Sequence, residues 1–128
     1  MSPSVIATAT AGRYPTAALE EAPAALRHAW TRRAGEMLEF DAALRALVSF
    51  RELNLLGPWP MRGQFDVIFC RNVMIYFDEP TKATLQARFA DQLIDRGHLY
   101  IGHSERLLGE AANRFAAVGQ TIYRKAGA

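Results

Sequence analysis

The sequence predicts an α/β domain with a parallel core, and three observations carry that prediction. Phe65-Asp66-Val67-Ile68-Phe69-Cys70 is almost continuously apolar, the pattern of a strand covered on both faces in a parallel sheet. Leu85, Phe89 and Leu93 then recur every four residues, the spacing of one helical face. A short apolar run from His98 to Ile101 follows. Strand, helix, strand in that order is the unit from which parallel sheets are built.

From the N-terminus, residues 4–13 read as a short helix rich in alanine and threonine, stopped near Gly12 and broken by Tyr14-Pro15. Pro23 to Arg33 reads as a second short helix, with Leu26 and Trp30 on one face and Gly35 beyond its end. Met37 to Phe40 reads as extended, and Asp41–Ala46 as a turn of helix. Val48 to Leu53 reads as a strand whose polar members are Ser49, Arg51 and Glu52. Gly57-Pro58-Trp59-Pro60 is a loop, because two prolines forbid regular structure. Asp78 is a good N-cap and Pro80 suits a first turn, so the amphipathic helix starts there. Gln86, Arg88, Asp91 and Gln92 fall off its apolar stripe, and Gly97 is expected to end it in a left-handed conformation. Phe115–Val118 and Thr121–Lys125, separated by Gly119-Gln120, read as a hairpin.

Composition narrows the functional classes. Half of the 128 residues are hydrophobic and 22% are charged, which excludes a disordered or collagen-like chain. Residues 1–60 carry six basic and six acidic side chains and residues 61–128 carry nine and seven. No stretch concentrates positive charge, so nothing points to nucleic acid or a membrane surface. Cys70 is the single cysteine, so no internal disulfide or cysteine-rich zinc site is expected, in keeping with a reducing cytoplasm. The start, Met1-Ser2-Pro3-Ser4-Val5-Ile6, has neither the basic nor the apolar region of a signal peptide. No apolar run approaches the roughly 20 residues of a membrane span. The glycines never occur as Gly-x-Gly, so a glycine-rich nucleotide loop is not expected.

Four candidate sites remain. Arg71 and Asn72 sit at the carboxyl end of the apolar strand, where open α/β sheets bind ligands; equally, Asn72 is a helix-capping residue and Arg71 a solvated one. Tyr76 has a hydroxyl that could face a cleft, but Ile75-Tyr76-Phe77 reads more simply as core aromatics. Gly102-His103-Ser104-Glu105-Arg106 nearly matches a nucleophile elbow, with Arg106 in place of the last glycine. A triad needs members from separate elements, so Ser104 is better read as the cap of a helix over Glu105–Ala112. Asn54-Leu55 follows the strand at 48–53, where an asparagine is a ligand contact or an ordinary turn residue.

The run Phe65-Asp66-Val67-Ile68-Phe69-Cys70-Arg71-Asn72-Val73-Met74-Ile75-Tyr76-Phe77-Asp78 closely resembles the central motif of the CheR-type chemotaxis-receptor methyltransferases. Gly97-His98-Leu99-Tyr100-Ile101-Gly102-His103-Ser104-Glu105 resembles the family's next strand. Gly119-Gln120-Thr121-Ile122-Tyr123 resembles its closing strand, and Val48 to Leu56 its third strand with the asparagine-leucine pair. These segments match in order over about residues 48–125. Upstream, Val5 to Pro15 looks like the helix after the family's second strand.

The resemblance implies a partial Rossmann-like S-adenosylmethionine-dependent fold, with strands 3 to 7 present and strands 1 and 2 missing from an order 3-2-1-4-5-7-6. It divides the chain into a residual helix at 1–13, a shortened insertion at 14–45, and the C-terminal half of the methyltransferase domain at 46–128. In some members that insertion is an antiparallel subdomain that grips a receptor tail. By motif position, Asn54 and Leu55 would border the adenine, Arg71 and Asn72 would contact the cofactor, and Tyr76 would lie near the reacting methyl as the catalytic position. The implied reaction moves a methyl group from S-adenosyl-L-methionine to a glutamate of a chemoreceptor cytoplasmic domain, leaving S-adenosyl-L-homocysteine, with little activity expected from this chain alone. The alternative is a non-catalytic module that docks a receptor or signalling partner. With strands 1 and 2 absent, Phe65–Cys70 becomes an apolar edge. The strand at 48–53 is then expected to close onto it, or two chains to pair there, or the fragment to be poorly stable.

Overall fold

The computed structural model describes residues 3–127, so the reading of Met1-Ser2 lies outside the described residues. It is a mixed α/β structure that divides into two compact units, at Asn54/Leu55.

The first unit opens with α1 (Pro3–Ala11), ended by Gly12 at φ 67°. Three short strands, β1 (Arg13–Pro15), β2 (Thr31–Ala34) and β3 (Met37–Phe40), form an antiparallel sheet in the order β1-β3-β2. A 3-10 turn at Thr16–Leu19 and the helix α2 (Ala24–Trp30) join β1 to β2, and α3 (Ala42–Arg45) follows β3. The helix expected to reach Arg33 therefore stops at Trp30. Thr31 is extended, and its hydroxyl donates to the Arg27 carbonyl at 2.5 Å, satisfying one free acceptor at the helix end. Glu39 is buried and meets Arg13 at 3.2 Å, Arg45 at 3.4 Å and Arg32 at 3.6 Å. Burial by itself raises this carboxyl. The hydrogen bond and charge of Arg13, with Arg32 and Arg45 behind, outweigh it and hold the group below its ordinary value.

No strand forms over Val48–Leu53, so these residues do not supply the third strand that the resemblance implies. A strand exists through the ladder it shares with a neighbour, and this segment has none among the described residues. Val48 and Phe50 are exposed and instead border an apolar depression with Tyr14, Phe40 and Leu44.

The second unit holds a four-stranded sheet in the order β4-β5-β7-β6. Strand β4 (Phe65–Cys70) runs parallel to β5 (Leu93–Ile101), and β7 (Ile122–Lys125) runs antiparallel to both β5 and β6 (Phe115–Gly119). After β4, a 3-10 turn at Met74–Tyr76 leads to α4 (Glu79–Gln92); α5 (Gly109–Arg114) precedes β6. Asp78 caps α4 by accepting from the Thr81 amide at 2.9 Å, with Pro80 in the first turn. That hydrogen bond draws the Asp78 carboxyl below its ordinary value. Leu85 and Phe89 of α4 pack with Cys70, Met74, Leu93, Leu99 and Ile101 into one buried cluster, each large side chain worth about 1.5–3 kcal/mol of apolar burial.

Four expectations need correction. First, β4 is not covered on both faces: Ile68 and Cys70 face α4, while Phe65, Val67 and Phe69 are exposed. Second, α4 ends at Gln92, not Gly97. Leu93 is drawn fully into the core in an extended conformation, and its carbonyl accepts from Gln64 at 3.1 Å and Lys125 at 2.7 Å. Arg96, not Gly97, holds the left-handed conformation in the irregular stretch of β5 opposite Asp66. Gly97 is needed there for close approach, since a Cβ would lie 2.9 Å from the Ile94 oxygen and 3.0 Å from the Asp66 oxygen. Third, Gln86 is fully buried despite lying off the leucine-phenylalanine stripe. Fourth, the last helix covers Gly109–Arg114 with Leu108 before it, so Ser104 caps nothing.

Candidate functional site

Parallel pairing of β4 with β5 runs to Cys70↔Ile101. Beyond that register both chains turn, and the carboxyl ends of the two strands form a lip carrying Arg71 and Asn72 on one side and Gly102 on the other. The side chains of Arg71 and Asn72 are exposed. Asn72 adopts φ 60°, a conformation asparagine tolerates better than most residues. It does not cap the 3-10 turn that follows, whose preceding residue is Val73 with no side-chain cap. In that turn Met74 is fully buried and anchors the segment. Tyr76, three residues from Val73, is 81% exposed, so the core reading of this tyrosine is wrong: Met74 takes the core position.

The lip is held from behind by Glu105. One oxygen of its carboxylate, Oε1, accepts from the Gly102 amide at 2.6 Å and the Asn72 amide at 3.0 Å. The other oxygen is buried and has no hydrogen-bond partner among the described residues. Beside it, burial and then the Glu105 charge push the Cys70 thiol up to about 11, so Cys70 remains protonated and unreactive at neutral pH. Gln86 fixes the loop that carries Glu105: its amide donates to the Arg106 carbonyl at 2.9 Å and accepts from the Leu108 amide at 2.7 Å.

Leu55 lies elsewhere on the second unit, against the start of α4. Its carbonyl accepts from the Trp59 indole at 3.0 Å and from Arg88 at 2.7 Å, while Arg88 also donates to the Gly57 carbonyl at 2.6 Å. The Arg88 guanidinium stands 4.2 Å over the Trp59 ring, within cation–π range. The loop is thereby strapped to α4, and Leu55 with Leu56 borders a depression lined by Pro80, Thr81, Thr84 and Arg88. Asn54 is exposed and belongs to the first unit. The geometry therefore gathers Arg71 and Asn72 at one lip, puts Tyr76 on the segment that leaves it, and sets Leu55 in a separate depression.

Sequence reasoning gave no role to Glu105, Gln86 or Arg88. The signal for Glu105 was present: a glycine three residues before it, at the end of a strand, leaves room for a carboxylate to fold back onto backbone amides. Gln86 and Arg88 read as ordinary polar members of a helix face, and only the loops packed on that face reveal their bonds.

The second unit is thus an α/β domain with polar side chains at the carboxyl end of its parallel strand pair, the end at which open α/β sheets take their ligands. The family model described as "CheR methyltransferase, SAM binding domain" matches residues 1–124, and the chain belongs to that family. It is similar to a probable chemotaxis protein methyltransferase of Rhizobium etli, 46% identical with 97% of this chain and 48% of the relative aligned. It is also similar to chemotaxis protein methyltransferase 2 of Pseudomonas aeruginosa, 41% identical over 95% of this chain and 45% of the relative. The chemotaxis protein methyltransferase of Escherichia coli is 47% identical over 59% of the chain and 27% of its own length. The chain spans about half the length of the first two relatives.

Proposed function

We propose that this chain forms part of the S-adenosylmethionine site of a methyltransferase acting on glutamates of a chemoreceptor cytoplasmic domain, with Arg71 and Asn72 as its cofactor contacts. The observation that carries this reading is the lip at the end of β4, where an exposed guanidinium and an exposed amide stand together on a left-handed turn. The sheet order β4-β5-β7-β6 supports it, being the 4-5-7-6 half of the Rossmann-like order that the family resemblance implies.

The residues present fit the polar part of such a ligand. Arg71 brings donors suited to a carboxylate, and Asn72 brings both a donor and an acceptor suited to hydroxyl, carboxylate or ammonium groups. When bound, S-adenosylmethionine supplies an electrophilic methyl group on a sulfonium. The accepting glutamate, with a reference pKa of about 4.3, is already ionised at neutral pH and needs no general base. The work left to this chain is therefore placement and exclusion of water. Arg71 and Asn72 hold the polar end, Leu55 borders the adenine, and Tyr76 orients the reacting groups with its exposed hydroxyl. The Leu55 carbonyl is already engaged by Trp59 and Arg88, so Leu55 contributes its side chain or amide. The antiparallel sheet β1-β3-β2 falls in the stretch of sequence where the resemblance puts the receptor-gripping insertion, which supports reading it as a surface for the protein substrate.

Titration of the nitrogen-15-labelled chain with S-adenosylhomocysteine tests the site. Saturable shifts of the Arg71 and Asn72 amides are expected, weakened by Arg71→Ala and Asn72→Ala. Shifts confined to other regions, or none at millimolar ligand, would overturn the reading. Capture of a receptor cytoplasmic domain by a chain that ignores the cofactor would favour the alternative of a docking module.

A further inference from the structure

We infer that Glu105 is a positioning residue: its carboxylate holds Asn72 in its left-handed turn and so sets the shape of the lip at the end of β4. The consequence for the cofactor rests on the function proposed above; the clasp itself rests on geometry alone.

Three features converge. The last register of the parallel ladder is Cys70↔Ile101, so the amides of Asn72 and Gly102 lie just past the point where strand-to-strand bonds end. Both donate to one oxygen of Glu105, at 3.0 Å and 2.6 Å, in place of the missing ladder bonds. Such bonds are charge-assisted and stronger than amide–carbonyl ones. Residue 102 must also be glycine for the clasp to form: a Cβ there would collide with the accepting oxygen and lie 2.5 Å from Asn72 Oδ1 and 2.8 Å from the Asn72 amide nitrogen. Finally, the loop that carries Glu105 is not free to drift, because the fully buried Gln86 bonds to it at Arg106 and Leu108. The chain of support therefore runs from the core of α4, through the 103–108 loop and one carboxylate, to the backbone of a proposed cofactor contact.

Amide hydrogen exchange on the labelled 128-residue chain, combined with S-adenosylhomocysteine titration, tests this. Glu105→Ala is expected to speed exchange at Asn72 and Gly102 on the order of tenfold or more while leaving Ile68 and Leu99 unchanged. Glu105→Gln, whose side-chain oxygen still accepts, is expected to fall between wild type and Glu105→Ala. Unchanged exchange at the two amides, or a uniform rise across the second unit, would overturn the clasp. If Glu105→Ala does not fold, Glu105→Gln decides alone: the Asn72 and Gly102 amide protons should move upfield together, and their failure to move overturns the inference. Protected amides that respond to Glu105 but not to S-adenosylhomocysteine would support the clasp and sink the cofactor reading instead. A weaker ligand response at Asn72 in Glu105→Gln than in wild type supports both.

Discussion

The two faces of the β4–β5 pair were built from the same kind of sequence and have opposite fates. On one, Ile68, Cys70, Leu99 and Ile101 pack beneath Leu85 and Phe89 of α4. On the other, Val67 and Phe69 are exposed, and Phe69, 69% exposed, stacks on Tyr100 at 4.5 Å. Alternation along the strands assigns residues to faces, but apolar character does not say which face will be covered. The outer edge of β4 is likewise unpaired among the described residues. The difference teaches that stability is concentrated on one side of this sheet, the side that also supports the lip.

The strongest way to sharpen the contrast is a matched pair of truncations. Leu99→Ala, at a fully buried position in the middle of β5, should cost about 2–5 kcal/mol by removing apolar contacts and leaving a cavity. Phe69→Ser, one register over on the open face, should cost about 1 kcal/mol, the worth of its aromatic pair with Tyr100. Urea unfolding followed by tryptophan fluorescence measures both. Equal losses would mean that the open face is covered in solution.

These faces also mark how far the sequence was legible. The strand at Phe65–Cys70 and the Leu85–Phe89 face of α4 were readable because the local pattern and the Asp78 cap agree with the final elements. The C-terminal hairpin was readable from its glycine. Val48–Leu53 was misread because a loosely alternating segment becomes a strand only when a neighbour completes its hydrogen bonds. The end of α4 was misread because the pull of the core on Leu93, and the side chains of Gln64 and Lys125 that satisfy its carbonyl, outweigh the usual glycine signal. The position of Arg71 and Asn72 just past the end of β4 was legible from the apolar run before them. The clasp from Glu105 was not, since it depends on a contact across 33 residues.

Gln86 offers the second test, because it ties the covered face to the lip. Gln86→Ala removes a fully buried side chain and leaves the part-buried Leu108 amide and Arg106 carbonyl without their partner. The expected loss is about 1–3 kcal/mol. Gln86→Glu keeps the acceptor for Leu108 but loses the donor to Arg106 and adds a buried charge, so it should be no better than alanine. Denaturant midpoints check the order. A Gln86→Ala protein as stable as wild type would show that the 103–108 loop is held by something else, and would weaken the link from α4 to Glu105.

Cys70 gives the smallest effect and the most direct report on which face is sealed. Its thiol ordinarily ionises near 9.0 and is pushed up to about 11, first by burial and then by the Glu105 charge. At a given pH below 9 the thiolate fraction is then on the order of a hundredfold lower than in the unfolded chain, and alkylation should be slow until urea unfolds the protein. The sign for stability follows from the same shift. The native state holds the proton more tightly, so this contribution is complete below about pH 9 and is lost as pH rises toward 11. Glu105→Gln removes the second cause but not the first, so it should lower the thiol's pKa only part of the way. Iodoacetamide rates across pH 7 to 10 separate these terms. A native rate equal to that in urea would mean that the covered face opens readily, and the contrast between the two faces would fall with it.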